Sequence, residues 1–174
     1  MRVIAGEFRS RKLLTPEGHE TRPTSDRLRE TLFNILASEV EDCVFVDAYA
    51  GSGAVGIEAL SRGARLAIFI EKDRRAVDVI ERNIASLKLE ARARVIRGPV
   101  LLNLENTNAG IVFLDPPYPK EREYQAALDV LETHPPGLVV VQHPARFALA
   151  ENYGSLKRTR TLKQGENALS FFRI

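Results

Sequence analysis

The sequence predicts an α/β protein with a mostly parallel, doubly wound sheet that ends in an antiparallel hairpin. Between residues 43 and 141, short apolar runs alternate with amphipathic stretches of helical period. Alternation with short connections is typical of right-handed βαβ units in a parallel sheet. After residue 154, two strand-like runs follow each other with no room for a crossover helix, so we expect them to pair antiparallel.

Each element follows from its local pattern. An apolar stripe at helical spacing predicts a first helix that Thr24 or Ser25 can cap. Its core side would consist of Leu28, Leu32, Phe33, Ile35 and Leu36. Strands are expected at 43–46, 66–70, 94–96, 111–114 and 138–141, helices near 54–62, 73–87 and 121–133, and the closing hairpin at 155–162 and 168–173.

The N-terminus reads as a small addition to this domain. Residues 2–6 and 12–14 have the pattern of two short strands around a glycine-containing turn. We therefore expect a β-hairpin extension at 1–20, followed by the main domain at 21–174.

Composition limits the possible classes of protein. The chain has 174 residues, of which 44% are hydrophobic and 28% are charged, as in an ordinary globular domain. Since neither a membrane-spanning run nor a signal peptide is present, we expect a cytoplasmic protein, and no feature demands an oligomer, so we expect a monomer. One cysteine and three histidines make an internal disulfide impossible and a metal site improbable.

Positive charge is concentrated at both ends of the chain. The N-terminus carries Arg2, Arg9, Arg11 and Lys12 against Glu7. The C-terminal part carries Arg146, Lys157, Arg158, Arg160, Lys163 and Arg173 against two glutamates. These ends suit a polyanion such as RNA, in a salt-dependent way. The alternative is that the cations protect exposed sheet edges from unwanted pairing.

A glycine loop after the first central strand indicates a nucleoside cofactor. Gly51, Gly53 and Gly56 form G-x-G-x-x-G between a strand and a helix, and Glu71 ends the next strand, where its carboxylate can bind ribose hydroxyls. Asp47 and Glu58 flank the loop, and acids would repel a pyrophosphate but suit a cation. This favours S-adenosylmethionine over a dinucleotide. The alternative is a glycine turn needed only for packing.

The turn after the fourth strand, Asp115-Pro116-Pro117-Tyr118, combines an acid, two rigid residues and an aromatic ring. The set is suited to a flat ligand with an amino group, although Pro-Pro can simply end a strand. Together with the glycine loop, Glu71 and the closing hairpin, this turn resembles S-adenosylmethionine-dependent methyltransferases that act on exocyclic amines of nucleobases. Residues 2–6, 9–13, 21–34, 51–63 and 111–118 further resemble the bacterial RsmD family of small-subunit (16S) ribosomal RNA guanine-N2 methyltransferases.

The resemblance implies a Rossmann-like methyltransferase fold and assigns roles by position. The Asp115 carboxylate and the Pro116 carbonyl would accept the two amine hydrogens of the guanine, and Tyr118 would stack on the base. The implied catalytic set is Asp115, Pro116, Pro117 and Tyr118. S-adenosylmethionine would be held by Arg22, Pro23, Thr24, Asp47, Tyr49, Ala50, Gly51, Ser52, Gly53, Gly56, Glu71, Lys72, Gly98, Pro99, Val100 and Asp115. The RNA, expected within the 30S subunit, would be contacted by Arg2, Arg9, Arg11, Lys12, Lys120 and Arg122.

The chain departs from the family pattern at two positions. Family members commonly have an aspartate after the third strand, whereas this chain has Arg97-Gly98-Pro99-Val100, so the cofactor's adenine would rest on backbone groups there. An acid is usual after the fifth strand, whereas this chain has Gln142-His143-Pro144, and we expect His143 to be structural.

Three other functions remain open from the residues alone. An adenine-N6 methyltransferase shares the catalytic turn, but such enzymes usually carry a target-recognition region for which this chain has no spare length. An NAD-dependent oxidoreductase would use the glycine loop and Glu71, but it leaves the Asp115 turn unexplained. A non-catalytic RNA-binding protein would have no need of an intact glycine loop.

Overall fold

The computed structural model describes residues 1–16, 25–105, 107–117 and 121–174. The helices are α1 (Asp26–Leu36), α2 (Ala54–Ser61), α3 (Arg74–Leu87), α4 (Val100–Asn103) and α5 (Glu121–Thr133). The strands are β1 (Val44–Ala48), β2 (Leu66–Glu71), β3 (Ala93–Arg97), β4 (Ile111–Leu114), β5 (Leu138–Pro144), β6 (Asn152–Tyr153), β7 (Leu156–Gln164) and β8 (Asn167–Arg173). In this part of the chain, no helix is long and apolar enough to cross a membrane.

The strands form one sheet in the order β3-β2-β1-β4-β5-β8-β7-β6. The first five named in this order pair in parallel, and β8 pairs antiparallel with β5 and β7. Because β1 lies between β2 and β4, the chain changes direction across the sheet at that strand, and ligands of doubly wound sheets bind at such a point. The predicted fold class is confirmed, including the antiparallel closing hairpin.

Two apolar layers cover the sheet. On one face, α1, α2 and α3 pack on strand residues such as Phe45 and Phe69. On the other face, α4 and α5 pack on residues such as Val46 and Ile68. Neighbouring strand residues therefore point into opposite layers, as the pleat of a strand requires. Both layers are needed because the central parallel strands are buried on both sides.

The sequence predicted the type of the longer helices and strands correctly, but some of the predicted bounds differ from the observed ones. Ser25 caps α1 by accepting a hydrogen bond from the Leu28 amide at 3.2 Å, while Thr24 lies outside the described residues. Cys43 precedes β1 rather than beginning it, and β5 continues to Pro144. The short elements α4 and β6 were not predicted. With four and two residues, they are too short to show a period in the sequence.

The N-terminal segment, residues 1–14, is less regular than predicted. Its antiparallel pairing is limited to an isolated bridge between Arg2 and Lys12, supported by backbone hydrogen bonds of Val3 with Arg11 and Ser10. The two predicted strands are therefore wrong in extent, although the chain does fold back on itself. Leu13 and Val3 are buried in the core, so the segment is packed against the main domain.

A buried acid on α2 holds the N-terminal segment in place. Glu58 is fully buried and accepts hydrogen bonds from the Ile4 and Ala5 amides at 2.8 and 3.0 Å. It is paired with Arg62 at 2.8 Å and lies 3.8 Å from the fully buried Arg29. Arg29 in turn donates to the Arg2 carbonyl at 2.6 Å. One carboxylate thus interacts with two cations and accepts hydrogen bonds from two amides of another segment.

We expect Glu58→Ala to destabilise the protein by about 3–5 kcal/mol, because it removes a buried carboxylate from Arg29, which keeps only the half-exposed Asp26 as an acidic partner, and leaves the Ile4 and Ala5 amides without their acceptor. Urea unfolding followed by circular dichroism measures the change. Glu39→Ala serves as the control, since Glu39 pairs with Arg173 at 2.6 Å while both side chains are about half exposed. An exposed pair contributes only about 0–1 kcal/mol. Equal losses in the two variants would contradict the assigned role of Glu58.

Candidate active site

The glycine loop, Glu71 and Asp115 lie where β1, β2 and β4 end. The β1–β2 ladder runs to Ala48 and Ile70, and the β1–β4 ladder runs to Ala48 and Leu114. The loops that follow therefore start side by side. The Ala50 amide donates to the Ile70 carbonyl at 3.1 Å, which joins the glycine loop to β2.

Asp47 lies beneath the glycine loop. Its side chain is 2% exposed, and its Oδ2 accepts a hydrogen bond from the Gly56 amide at 2.8 Å. Burial is the main reason that the pKa of Asp47 is raised to about 8, and the charges of Asp115 and Glu71 add to it. The Gly56 hydrogen bond and the Arg29 charge oppose the increase. A cation placed here would shift Asp47 toward its ionised form.

Glu71 organises the loop from the neighbouring strand. Its Oε2 accepts from the Gly51 amide and its Oε1 accepts from the Asp73 amide, both at 2.9 Å. Each carboxylate oxygen can accept a second hydrogen bond. The position is therefore compatible with the predicted contact to ribose hydroxyls, and the two amides fix the orientation of the carboxylate.

Two glycines of the loop, Gly56 and Gly51, differ in the space that a side chain would find there. A Cβ on Gly56 would lie 2.4 Å from Cε1 of Phe69, so this glycine is required for α2 to pack on β2. A Cβ on Gly51, whose φ is +55°, would meet no atom within 4 Å. Packing alone therefore explains why residue 56 is a glycine. Gly51 instead borders open space in which a ligand has room.

Tyr49 is held in a costly conformation at the start of this loop. Its φ of 64° lies in the left-handed region, which non-glycine residues rarely adopt and which clusters at functional sites. Its hydroxyl donates to Glu123 of α5 at 3.0 Å. Burial and then the Glu123 charge raise the pKa of Tyr49, so the hydroxyl stays protonated.

The catalytic turn is supported from two sides. Asp115 follows β4 and is half-buried, and its Oδ2 accepts a hydrogen bond from Gln142 Nε2 at 3.2 Å. Pro116 is buried, and its carbonyl lies 3.5 Å from the hydroxyl of the fully buried Tyr124. Pro117 is half-buried. Neither Gln142 nor Tyr124 belonged to the predicted site.

The end of β3 forms another border of the site. The Gly98 amide donates to the Glu71 carbonyl at 3.0 Å, so this turn lies beside the ribose-binding position that we predict. Pro99 is the N-cap of α4, and its carbonyl accepts from Asn103 Nδ2 at 2.7 Å. Val100 is buried, and Lys72 is exposed.

Glu58 does not flank the cofactor loop as the sequence argument assumed. Its oxygens accept from Ile4, Ala5 and Arg62, on the side of the N-terminal segment. The prediction that Glu58 would repel a pyrophosphate at the glycine loop is therefore wrong. The reason is that residues two positions apart on a helix, such as Gly56 and Glu58, point in different directions. Asp47 and Glu71 remain the acids of the loop.

The predicted RNA-binding cations differ in their surroundings. Arg9, Lys12 and Arg122 are exposed. Arg2 is also exposed but lies 3.8 Å from Asp26, and Arg11 reaches the Ser86 carbonyl at 3.4 Å. The predicted residues Arg22, Pro23, Thr24, Tyr118 and Lys120 lie outside the described residues.

Asn83 connects the N-terminal segment to the glycine loop. This buried side chain donates to the Leu14 and Ser52 carbonyls at 3.0 and 3.2 Å and accepts from the Leu14 amide at 2.8 Å. The Ser52 hydroxyl also donates to the Met1 sulfur at 3.7 Å. A signal in the sequence could have revealed Asn83, since it is the polar member of an apolar stripe on α3. The other members are Ala76, Val77, Ile80, Ile84 and Leu87.

His143 has a structural environment, as expected. It is 3% exposed, its Nε2 lies 2.9 Å from the Ser170 hydroxyl, and its Nδ1 lies 3.0 Å from the Pro144 carbonyl. Burial lowers the pKa of His143, which keeps the ring neutral. It extends into the layer opposite Gln142, because the two residues are neighbours on one strand.

Comparison with known proteins identifies relatives of the whole chain. The family model described as conserved hypothetical protein 95 matches residues 1–173. Ribosomal RNA small subunit methyltransferase D of Escherichia coli K12 is 46% identical over 120 residues, a segment that covers 68% of this chain and 60% of that protein.

Solved structures share the fold. A hypothetical protein from Thermus thermophilus is 31% identical and superposes with a TM-score of 0.84, with 100% of this chain and 99% of that chain covered. An RNA methyltransferase from Salinibacter ruber, solved in complex with S-adenosyl-L-homocysteine, is 20% identical with a TM-score of 0.69. That match covers 87% of this chain and 93% of the other. Its low identity makes it a likeness of fold alone.

We expect Asp47→Asn to flatten the pH dependence of stability. A carboxyl group whose pKa rises from 3.8 to about 8 on folding stabilises the folded state most at acidic pH, and this contribution is lost as the pH rises through that window. The loss is at most about 1.4 kcal/mol per pH unit. Asparagine keeps an oxygen for the Gly56 amide but does not titrate.

Urea unfolding at several pH values between about 4 and 8 measures this effect. The exposed Asp78→Asn on α3 is the control, and its profile should follow that of the unmodified protein. If Asp47→Asn and Asp78→Asn gave the same profile, Asp47 would be ionised throughout the range.

Proposed function

The chain belongs to the RsmD family, whose model is the one described as conserved hypothetical protein 95, and from this membership we propose that it is a ribosomal RNA methyltransferase. In this proposal it transfers a methyl group from S-adenosylmethionine to the exocyclic amine N2 of a guanine in small-subunit (16S) ribosomal RNA. The observation that carries the proposal is the position of Asp115, at the end of the strand next to the glycine loop of β1.

The charges of the site favour a cationic cofactor. Asp47, Glu71 and Asp115 interact electrostatically, and the loop offers hydrogen bonds to two of these acids through neutral backbone amides. The site therefore keeps a negative potential, which suits the sulfonium and ammonium of S-adenosylmethionine and disfavours a phosphate. The similarity to ribosomal RNA small subunit methyltransferase D supports a methyl donor as the cofactor.

The chemistry of the amine explains the catalytic turn. The lone pair of the guanine amine is delocalised into the ring, so the amine is a poor nucleophile until its hydrogens are held. In our proposal, the Asp115 carboxylate and the Pro116 carbonyl accept these two hydrogens and direct the lone pair at the methyl group. S-adenosylmethionine supplies an electrophilic methyl. The N–C bond would form as the S–C bond breaks with its electrons moving to sulfur, and the methylated amine would then release one proton to water.

Positioning rather than base catalysis is the main contribution that we assign to Asp115. Correct alignment of two reactants can lower a barrier by roughly 7–11 kcal/mol, more than general-base catalysis normally supplies. A carbonyl has two lone pairs, so the long contact from Tyr124 leaves Pro116 able to accept the substrate. Tyr118 is proposed to stack on the base after the base leaves its helix.

The choice of guanine rests on family membership, since the turn also suits adenine. Selection of one base by so small a protein also requires recognition of RNA shape, and we propose that the substrate is an assembled or partly assembled 30S subunit. The protein would act as a monomer in the cytoplasm. Residues 1–20 are proposed to be an RNA-binding extension of a methyltransferase domain at 21–174.

The decisive experiment combines labelled S-adenosylmethionine with three substrates: 30S subunits, naked 16S ribosomal RNA and a DNA duplex. Digestion to nucleosides and mass spectrometry then identify the product. N2-methylguanosine from the 30S subunit would support the proposal. N6-methyladenosine, from any substrate, would contradict the base assignment while leaving the methyl-transfer activity in place.

We expect Asp115→Ala to reduce the rate of methyl transfer roughly 100-fold or more while cofactor affinity changes little, because orientation is lost but the glycine loop is kept. Single-turnover kinetics and calorimetry with S-adenosylmethionine measure the two quantities. Asp129→Ala, at an exposed position on α5, is the matched control and should keep full activity. Full activity in Asp115→Ala would refute the amine-clamp assignment.

The N-terminal cations allow a separate test of RNA binding. We expect the double variant Arg9→Gln, Lys12→Gln to bind RNA more weakly and with a salt slope smaller by about 1.4, since each lost contact with a single-stranded phosphate removes about 0.7. Point variants are preferable to a truncation, because Glu58 and Asn83 bind the backbone of this segment. Arg65→Gln is the control, as Arg65 is an exposed cation outside the N-terminal segment and lies 3.6 Å from Asp42. An unchanged slope would assign the segment a structural role only.

A further inference from the structure

Gln142 occupies a position that the proposed chemistry does not yet explain. It follows Val141, which pairs with Leu114 in the parallel β4–β5 ladder, so Gln142 lies beside Asp115 at the next step. The side chain is only 3% exposed. Its Nε2 donates to Asp115 Oδ2 at 3.2 Å. A buried amide is therefore directed at the carboxylate that the proposed function makes the amine acceptor.

We propose that Gln142 is a positioning residue for methyl transfer: its amide holds the Asp115 carboxylate in the orientation in which that carboxylate accepts a hydrogen of the substrate amine. The inference rests on the proposed function, because it acts through Asp115. Gln142 itself contacts neither the substrate nor the cofactor in this proposal.

The chemistry of the pair supports this role. An ionised carboxylate only accepts hydrogen bonds, so the glutamine must present its NH2 group, and hydrogen bonding of this kind favours the charged form of the acid. The amide thereby orients the Asp115 carboxylate, which also interacts with the buried Asp47. An amide also does not titrate, so the interaction is the same at every physiological pH.

Among the described residues, several polar groups near the site are engaged with partners other than Asp115. The charged groups that interact with Asp47 beneath the site are Asp115, Glu71 and the buried Arg29 of α1. Arg29 is held by Asp26, Glu58 and the Arg2 carbonyl. His143, the next residue on β5, bonds to Ser170 instead. From α5, Tyr124 reaches the turn at Pro116.

Two variants separate positioning from packing. Gln142→Met keeps the length of the side chain but removes the donor, and we expect kcat to fall roughly 10- to 100-fold, as for loss of a hydrogen bond to a charged group. Affinity for S-adenosylmethionine should stay within about twofold, since the glycine loop is not touched. A merely structural residue would change stability without this separation.

Gln142→Glu adds a pH signature. When the introduced carboxyl and Asp115 share one proton, the introduced group can donate to Asp115 as the amide does, but when both are ionised they repel each other. We therefore expect activity near the unmodified level at low pH and a descending limb as the pH rises, which the unmodified protein lacks. Gln142→Glu and the unmodified protein are compared at saturating cofactor. Both contain Asp47, so its titration affects the two pH profiles equally.

Gln125 provides the matched control. It makes the same type of bond, from Nε2 to Asp129 Oδ1 at 2.7 Å, on the exposed surface of α5. Gln125→Met and Gln125→Glu should leave kcat and its pH profile unchanged. Because stability itself depends on pH, each activity is divided by the folded fraction measured by circular dichroism at the same pH, so that partial unfolding of a variant does not obscure the result.

The outcomes distinguish this inference from the proposed function. If Asp115→Ala is inactive while Gln142→Met keeps full kcat or Gln142→Glu shows no descending limb, the role of Gln142 is overturned and the clamp stands. If Asp115→Ala is active, the clamp itself fails. A carbon-13 NMR titration of the Asp115 carboxyl needs no activity: its midpoint should move to higher pH in Gln142→Met, and an unchanged midpoint would overturn the inference.

Discussion

The burial of Asp47 beside two other acids, Glu71 and Asp115, at the carboxyl edge of the sheet is the constraint on which the site depends. Asp47, Glu71 and Asp115 lie at the ends of three adjacent parallel strands and interact electrostatically. Each is held by a neutral N–H donor: the Gly56 amide, the Gly51 amide and the Gln142 side chain, respectively. Neutral donors orient the acids without cancelling their charge. In our proposal a bound cation favours the ionised form of Asp47, whose pKa is raised to about 8 without one.

The burial of Asp47 is consistent with a stability–function trade-off. A buried carboxyl of raised pKa destabilises the folded protein as the pH approaches neutrality, and nothing in the packing of β1 requires an acid at that position. The main core around it is apolar on both faces of the sheet. Asp47 accepts a hydrogen bond from the Gly56 amide in the fold, and the cofactor contact that we propose would explain why this acceptor is an acid.

The N-terminal segment is integrated with the site through polar contacts. Glu58 binds its first part, Ser61 binds the Ala5 carbonyl and the Phe8 amide, and Asn83 binds Leu14. Asn83 also binds the Ser52 carbonyl of the glycine loop. A segment proposed to contact RNA thus shares one side chain with the loop proposed to hold the cofactor. Binding at either place restrains the same group, which provides a physical route for coupling between them.

The sequence by itself determined the class of fold and the location of the site. Alternating apolar periods, the Gly51 to Gly56 loop and Asp115 after β4 are local signals, and parallel strands bring their carboxyl ends to one edge by geometry alone. The tertiary structure decided where side chains point and what they meet across the chain. Glu58 turned from the cofactor loop to residues 4 and 5, and Gln142 reached Asp115 from 27 positions away. Such contacts depend on packing between distant segments, and the local pattern of apolar residues does not reveal that packing.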